Sequence, residues 1–492
     1  MASKGFLERV SEKIKGNASE SEAVKELCKL GWKKDRAKAV LKLAKDNGIS
    51  YSSYLDKHMY DLTDDEVIEF AKILKQIKKN SKDEKEFYAR VSVKKSGLSR
   101  SDIDSMMRKA KLKGISAKNF AAYSYWNLND EERDRLVDIG DEKASDGKER
   151  RNLNAELVAE KTGWPLGKVH LEINRTKAKC GIVYEDYRIF NFHKLTLDEQ
   201  AKYITREPFT RMRLYYNDYI QYSKYFDDKA GFNRKFGDFN HRVWFENNPS
   251  ERVSENEAYY VNNLEEFAEK FKGISRIIFK PSDSMQGAGI ETMELGTEDD
   301  PERPAKLEAA WKRLQELPTG VVEQYIIQHP AMAAFAPQSV NTVRFASLNF
   351  HGEFVALFAT IRLGMGQVVD NFHAGGITVP VDVNTGMALM PAVNLDGKQF
   401  ETHPLSGIKI EGFKVPNWDI VRETVKQATG RVEGVNMVGW DLAITPEGVE
   451  LIEGNPNFAY AGTQVAYSTQ GVGMKDAILA PYLKEIDEMM AE

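Results

Sequence analysis

Three Gly-Ile pairs, Gly48-Ile49, Gly114-Ile115 and Gly181-Ile182, recur 66 and 67 residues apart, and their surroundings recur with them. An aromatic stands six residues after each glycine (Tyr54, Phe120, Tyr187), a leucine fourteen after (Leu62, Leu128, Leu195) and a glutamate eighteen after (Glu66, Glu132, Glu199), with no gap. A fixed period of this size marks a repeated supersecondary unit that cannot cover its own apolar face and must stack on its copies. Thr63, Asn129 and Thr196 lie three residues before those glutamates, so a boxed helix start is predicted in each copy. After the first, Val67, Phe70, Ile73, Leu74 and Ile77 form one apolar stripe. Upstream, Gly31, Gly97 and Gly163, followed by Trp32, Leu98 and Trp164, mark another turn. Gly48, Gly114 and Gly181 read as helix C-terminal glycines with positive φ. Three mostly helical units are predicted, over 1–85, 86–150 and 151–205, the third leading into the rest of the chain.

The remainder, 206–492, is long enough for a catalytic domain, read as lobes of about 206–320 and 321–492. With 42% hydrophobic and 29% charged residues, the composition excludes a disordered chain, collagen and a membrane bundle. Cys28 and Cys180 are too few for a disulfide framework or a cysteine-rich zinc site. MASKGFLERV lacks a signal-peptide apolar region and no run approaches the roughly 18 apolar residues of a span, so a cytoplasmic protein without a membrane span is expected. The net charge of −5 hides an asymmetry: residues 1–120 carry 28 Lys+Arg against 18 Asp+Glu, or +10, leaving −15 for the rest. Lysine-rich helix faces are commonly just solvated, and an acidic partner or peptide at the helical units is the alternative; nucleic acid binding is not indicated.

From about Ile277 the texture turns to short β-rich runs and glycine turns. Ile277–Lys280 reads as a strand, followed by a Gly-rich tip, Pro281–Gly289, and a second strand from Ile290. Such a tip can aim several N–H groups at one anion, and Lys280 adds a full charge beside it; an ordinary hairpin is the competing reading. The stretch has neither a P-loop nor a dinucleotide fingerprint. In VGWDLAITPEGVELIEGNPN, a hairpin centred on Glu447 pairs residue i with 894 − i, so Asp441 faces Glu453. Opposed carboxylates repel unless a cation lies between them, and Asn455 adds a third oxygen on the same face. A shifted register would leave both acids in solvent. Another hairpin, Asn341–Asn349 with Glu353–Arg362, turns at His351-Gly352 and sets Arg344 and Arg362 in apolar strands. Each needs an anion: a phosphate, or an Asp or Glu elsewhere in the sheet. Asp370–Gly376 follows, small enough to admit a ligand near the backbone, with His373 either functional or an ordinary loop residue.

In order, FKPSDSMQGAGI, VVEQYIIQH, NTVRF, RLGMGQVVDNFHAGG, GWDLAIT and LIEGNPN resemble the successive elements of the ATP-grasp superfamily, closest to its sugar-transfer-associated, glutamate-ligase-like branch, over roughly residues 180–492. The resemblance implies an α+β, two-lobed ATP-grasp fold, here preceded by the helical repeats where relatives often have a Rossmann-like domain. It implies ATP and Mg2+ as cofactors. Lys280 would contact the α/β phosphates, with Ser282, Gln286, Gly287 and Gly289 in the closing loop; Lys229 resembles the earlier phosphate lysine, with Lys224 its competitor. Glu323 and the Gln324 carbonyl would meet the adenine amino group and the Ile326 N–H a ring nitrogen. Asp441, Glu453 and Asn455 match the magnesium ligands. Arg344 would hold phosphate, Arg362 the acyl phosphate and the tetrahedral intermediate, and Asn371, His373, Gly375 and Gly376 the substrate.

The implied activity is a carboxylate–amine ligase working through an acyl phosphate, such as one joining an amino acid to a sugar acid or peptide carboxylate. A kinase on the same fold and a nucleotide-switched peptide or carrier recognition protein are the alternatives. The chain departs from the family pattern at Gln328-His329-Pro330, where an acidic ribose contact is usual, and at Asn457–Gly462, which replaces an Asn-Pro-x-Pro-Gly turn. That turn, with His403–Gly407 and Pro416–Trp418, is where specificity is expected.

Overall fold

The computed structural model describes residues 18–129, 133, 146–249, 254, 256–282, 289–366 and 375–491. Two compact units emerge: Met1–Arg211 with Gly473–Ala477 and Tyr482–Glu492, and Met212–Val472 with Ile478–Pro481. Among the described residues no helix is long and apolar enough to cross a membrane.

The first unit is helical. Thr63 and Glu66 box the start of the helix Asp64–Ser96, and Thr196 and Glu199 that of Leu197–Gln200. Glu132 of the middle copy lies outside the described residues, while the Arg133 N–H donates to the Asn129 carbonyl. Gly48, Gly114 and Gly181 have φ of 83°, 86° and 68°, a left-handed state that strains any side chain. A second repeated left-handed position was not legible: His58, Ser124 and Asn191, each ten residues after those glycines, have φ of 52°, 46° and 55°. Histidine, serine and asparagine share no property that a self-comparison detects, and although asparagine and histidine are enriched in this conformation, serine is not.

The helix Asp64–Ser96 runs through residues 85–86, where the sequence suggested a join between units, so the first two copies share a helix rather than a linker. Its first half places Val67 and Phe70 in a core with Leu27, Leu41 and Tyr54, and its second half places Ala89 in another with Ile103, Phe120 and Tyr125. The third copy folds back on the first. Leu171, from the helix Leu166–Cys180, enters the first core, Arg175 pairs with Glu69, and Asn80 donates to the Ala178 carbonyl at 2.8 Å. The end of the chain returns to this unit: Arg90 donates to the Met489 carbonyl at 3.0 Å. Residues 206–211, 473–477 and 482–492 of the expected catalytic stretch 206–492 therefore belong to the helical unit.

The second unit holds two antiparallel sheets. The smaller has the order β1-β4-β2-β3, from Trp244–Asn247, Gly320–Gln324, Arg276–Pro281 and Glu291–Glu294. The sequence reading left β1 unassigned; four residues carry too little alternation to stand out, and it is held by pairing along β4 and by burial of Phe245. The larger sheet has the order β11-β10-β5-β6-β7-β8-β9, with β5 Thr342–Phe350, β6 Glu353–Leu363, β7 Ile377–Val381, β8 Ala392–Val393, β9 Gln399–Phe400, β10 Met437–Ile444 and β11 Val449–Asn455. The β5–β6 hairpin turns at His351 (φ 54°) and Gly352 (φ 93°), two left-handed residues whose twist suits adjoining strands. All eight residues of β10 are buried.

Candidate active site

The β10–β11 hairpin brings Asp441 opposite Glu453, by a route other than turn symmetry. From the turn, Ile444 pairs with Val449, Ala443 with Glu450 and Leu442 with Leu451; continued, this register would set Asp441 against Ile452. A bulge at that point lets Ile452 slip out of the ladder, after which Asp441 meets Glu453 and Gly439 meets Asn455. The extra residue compensates for a loop, Thr445–Gly448, centred half a residue from Glu447.

On its other edge Asp441 pairs with Arg344 of β5. Arg344 clasps it through both guanidinium branches, with Nη2 2.8 Å from Oδ2, and Arg362 Nη2 lies 2.6 Å from Oδ1. Of the two partners open to these arginines in the sequence, the sheet's own aspartate is the one seen. Burial alone would raise the Asp441 carboxyl, but the Arg344 and Arg362 charges reverse this and hold it far below the usual carboxylate range. Glu453 behaves oppositely: enclosure by protein and the Asp441 charge beside it push its carboxyl up. Its side chain is nevertheless open to solvent. A carboxyl that water reaches but protein surrounds lines a cleft.

Asn455 Nδ2 donates to Glu453 Oε1 at 2.9 Å, and turning the amide over would present its oxygen instead. Among the described residues no three His, Cys, Asp or Glu side chains converge on a metal position, so a cation here would take Asp441, Glu453 and the Asn455 amide. The set suits a hard cation: all donors are oxygen, and the repulsion between the two carboxylates is what a dication relieves.

A second cluster forms on the small sheet. Lys280 of β2 and Glu323 of β4 meet at 2.6 Å, Asn233 Nδ2 donates to the other oxygen of Glu323 at 2.8 Å, and Glu323 is 3% exposed. Burial would raise this carboxyl; Lys280 and Arg242 outweigh it and lower it to about 2. Both oxygens of Glu323 are engaged inside the protein, one by Asn233 and the other by Lys280, which Glu323 orients. Lys229 begins the helix Lys229–Phe236 and donates to the Pro281 carbonyl at 2.8 Å, which puts it at the base of the Gly-rich hairpin, whereas Lys224 lies over the Tyr225 ring. Ser282 N–H donates to the Thr319 carbonyl, and Gly289 has φ of 71°. Gln286 and Gly287 lie outside the described residues.

Between β4 and the large sheet, Tyr325 N–H is held by the Arg276 carbonyl and His329 N–H by the Ile444 carbonyl. Gln324 N–H donates to the Val243 carbonyl, and among the described residues the Ile326 N–H has no partner. Gln328 and His329 are structural here, Gln328 binding the Ser339 carbonyl and the Asn341 N–H, so neither replaces the acidic ribose contact. Asn371 and His373 lie outside the described residues; Gly375 (φ 98°) and Gly376 lead into β7, which pairs along β6 with Thr378 opposite Arg362.

The residue that sequence reasoning missed is Arg242. Buried, it stands 3.7 Å from Glu323 of β4 and 3.7 Å from Glu450 of β11, so it ties the two sheets and hence both clusters. Its partners come from strands remote in sequence, and no local pattern announces them. A cavity of 240 Å³ beside Asn247, Tyr260 and Trp311 includes none of the predicted site residues.

No curated protein matches the chain. Solved structures that resemble it include a D-alanine–D-alanine ligase from Bacillus anthracis, at 12% identity over 56% of this chain and 70% of that one, with a TM-score of 0.29. An L-amino acid ligase from Bacillus licheniformis matches at 12% identity over 54% and 51%, with a TM-score of 0.28. D-alanyl-alanine synthetase A from Vibrio cholerae O1 biovar eltor str. N16961 matches at 10% over 57% and 72%, with a TM-score of 0.29. The family described as sugar-transfer associated ATP-grasp matches residues 211–478, more than half of the chain and the whole stretch that carries both clusters, and the protein belongs to that family.

Proposed function

We propose that the protein is an ATP-dependent carboxylate–amine ligase: a carboxylate oxygen takes the γ-phosphoryl of ATP, releasing ADP, and an amine then attacks the acyl carbon, expelling phosphate and leaving an amide. The observation that carries this reading is the convergence of Asp441, Glu453, Asn455, Arg344 and Arg362 from four adjacent strands. Lys280, fixed by Glu323, would hold the polyphosphate, and Lys229 would hold the base of the loop beside it. Gln324 and Ile326 would offer main-chain groups to the adenine. Arg344 and Arg362 would balance the charge of the transferring phosphoryl and of the acyl phosphate. Magnesium, held by Asp441, Glu453 and Asn455, would supply electrostatic stabilisation of the phosphate oxygens.

The test is a mass-spectrometric screen of paired acids and amines with ATP and magnesium, scored by ATP-dependent loss of water from the joined pair. Phosphorus NMR on the same mixtures separates the ligase, which leaves free phosphate, from a kinase, which leaves phosphate on the acceptor. Turnover of no pair, together with unchanged nucleotide binding in Glu453→Ala, would sink the proposal. An amino acid joined to a sugar acid or peptide carboxylate is the substrate pair to try first, in keeping with the sugar-transfer association of the family.

A further inference from the structure

The cavity beside the small sheet takes no part in the chemistry above. It lies between the end of β1, the segment Tyr260–Asn262 and the helix Arg303–Glu316, which contributes Trp311 and Gln315. Its volume is 240 Å³. At ~30 Å³ per water that is room for about eight waters, the scale of a single sugar ring.

The walls are held from behind. Side chains alternate along β1, so Phe245 and Asn247 turn toward the helix while Glu246 turns the other way, where Arg234 engages its carboxylate. The Asn247 amide donates to the Leu314 and Pro318 carbonyls at 3.0 and 3.3 Å, and the Asn248 amide to those of Leu314 and Leu317 at 3.1 and 2.8 Å. The Tyr260 hydroxyl accepts from the Ser254 N–H at 3.1 Å, and Tyr260 is 5% exposed. The Trp311 ring packs on Phe267 with centres 5.6 Å apart. Closing the helix end accounts for the two amide nitrogens, and it leaves other polar atoms unused. Among the described residues neither Asn247 Oδ1 nor Asn248 Oδ1 accepts a hydrogen bond, and the Trp311 indole N–H and the Gln315 amide make none. β1 is also an edge strand, so along its outer side its main-chain groups have no strand partner.

Unused acceptors and unused donors therefore belong to side chains that line one space, and no lysine or arginine lines it with them. An anion would meet no cation there, and an ammonium would meet no uncommitted carboxylate. A hydroxyl both accepts and donates, which matches such a wall, and aromatic faces suit the C–H side of a ring whose edge carries the hydroxyls. We infer that the small sheet carries a binding site for one neutral pyranose unit, apart from both clusters, with Trp311 and Tyr260 against the ring and Asn247, Asn248 and Gln315 on its hydroxyls. None of these residues enters the ligase reading, so the site stands or falls independently of it.

The test is saturation-transfer difference NMR on the full chain with the methyl pyranosides of glucose, galactose and N-acetylglucosamine. At least one should bind saturably in the millimolar range, and the signal should be unaltered by magnesium and ATP or by Lys280→Met. Trp311→Phe keeps a ring against Phe267 but loses the indole N–H, and should weaken binding about tenfold. Gln315→Trp, at an exposed position on the rim, should fill the cavity and abolish binding. Thermal melting checks that each variant folds, and if one does not, the other decides. The inference is overturned by saturable binding of none of the three sugars, by a folded variant that binds as tightly as wild type, by equal competition from glycerol, or by displacement of the sugar with ATP.

Discussion

The two sheets of the second unit each bury an ionised carboxylate, and they treat it differently. On the small sheet Glu323 has a lysine, an asparagine and an arginine around it and no competing acid, so the charge is satisfied and Lys280 is fixed. On the large sheet Asp441 has two arginines, yet it also faces Glu453, whose carboxyl is pushed up by burial and by the Asp441 charge. The first arrangement is complete in itself. The second sets two carboxylates face to face, a repulsion that a cation between them would relieve.

The contrast can be broken most sharply at Asp441. Asp441→Ala should leave Arg344 and Arg362 buried without their partner and lower stability by about 3–5 kcal/mol, read by denaturant unfolding, with all ATP turnover lost. Glu453→Gln should separate function from fold: turnover should fall on the order of 100-fold, while stability changes by less than about 1 kcal/mol, because the side chain is exposed and a neutral amide removes its repulsion with Asp441. A loss of stability as large as that of Asp441→Ala would make the pair structural. Lys280→Met should cost about 1–3 kcal/mol, since Glu323 keeps Asn233 and Arg242, and should weaken nucleotide binding in a calorimetric titration.

A smaller effect concerns acid. Glu323 is lowered from its ordinary 4.5 to about 2, so above pH 4.5 its contribution is fully present. As pH falls from there toward 2 the unfolded chain takes up a proton that the folded one refuses, and stability is lost across that window. In Lys280→Met the folded carboxyl should protonate more easily and this part of the acid dependence should shrink, which melting curves between pH 5 and 3 would reveal. An unchanged slope would mean that Arg242 alone holds the charge.

Much of the active region was legible because its parts are local. Asp441, Glu453 and Asn455 sit on one hairpin, and residue spacing with the carboxylates' mutual repulsion suggested their pairing, although the pairing rests on a bulge at Ile452 that no composition rule signals. Arg344 and Arg362 were recognisable as cations needing an anion, but their partner is a residue 97 positions from Arg344. Glu323 was assigned to the nucleotide base from its place in a motif; that it also pairs with Lys280, on a strand paired across the sheet, was not legible. Short β1, Arg242 and the left-handed His58, Ser124 and Asn191 escaped because each depends on contacts or torsions that neighbouring residues do not encode.

The residue order alone settled the helical period, the capped helix starts at Thr63 and Thr196 and the pairing of strands joined by tight turns, since these follow from interactions within a few residues. It could not settle that one helix serves two copies, that the third copy covers the first, or that the chain's end returns to them. Those outcomes depend on which apolar faces remain uncovered after the local elements form, and that is decided by burial between segments far apart in the chain.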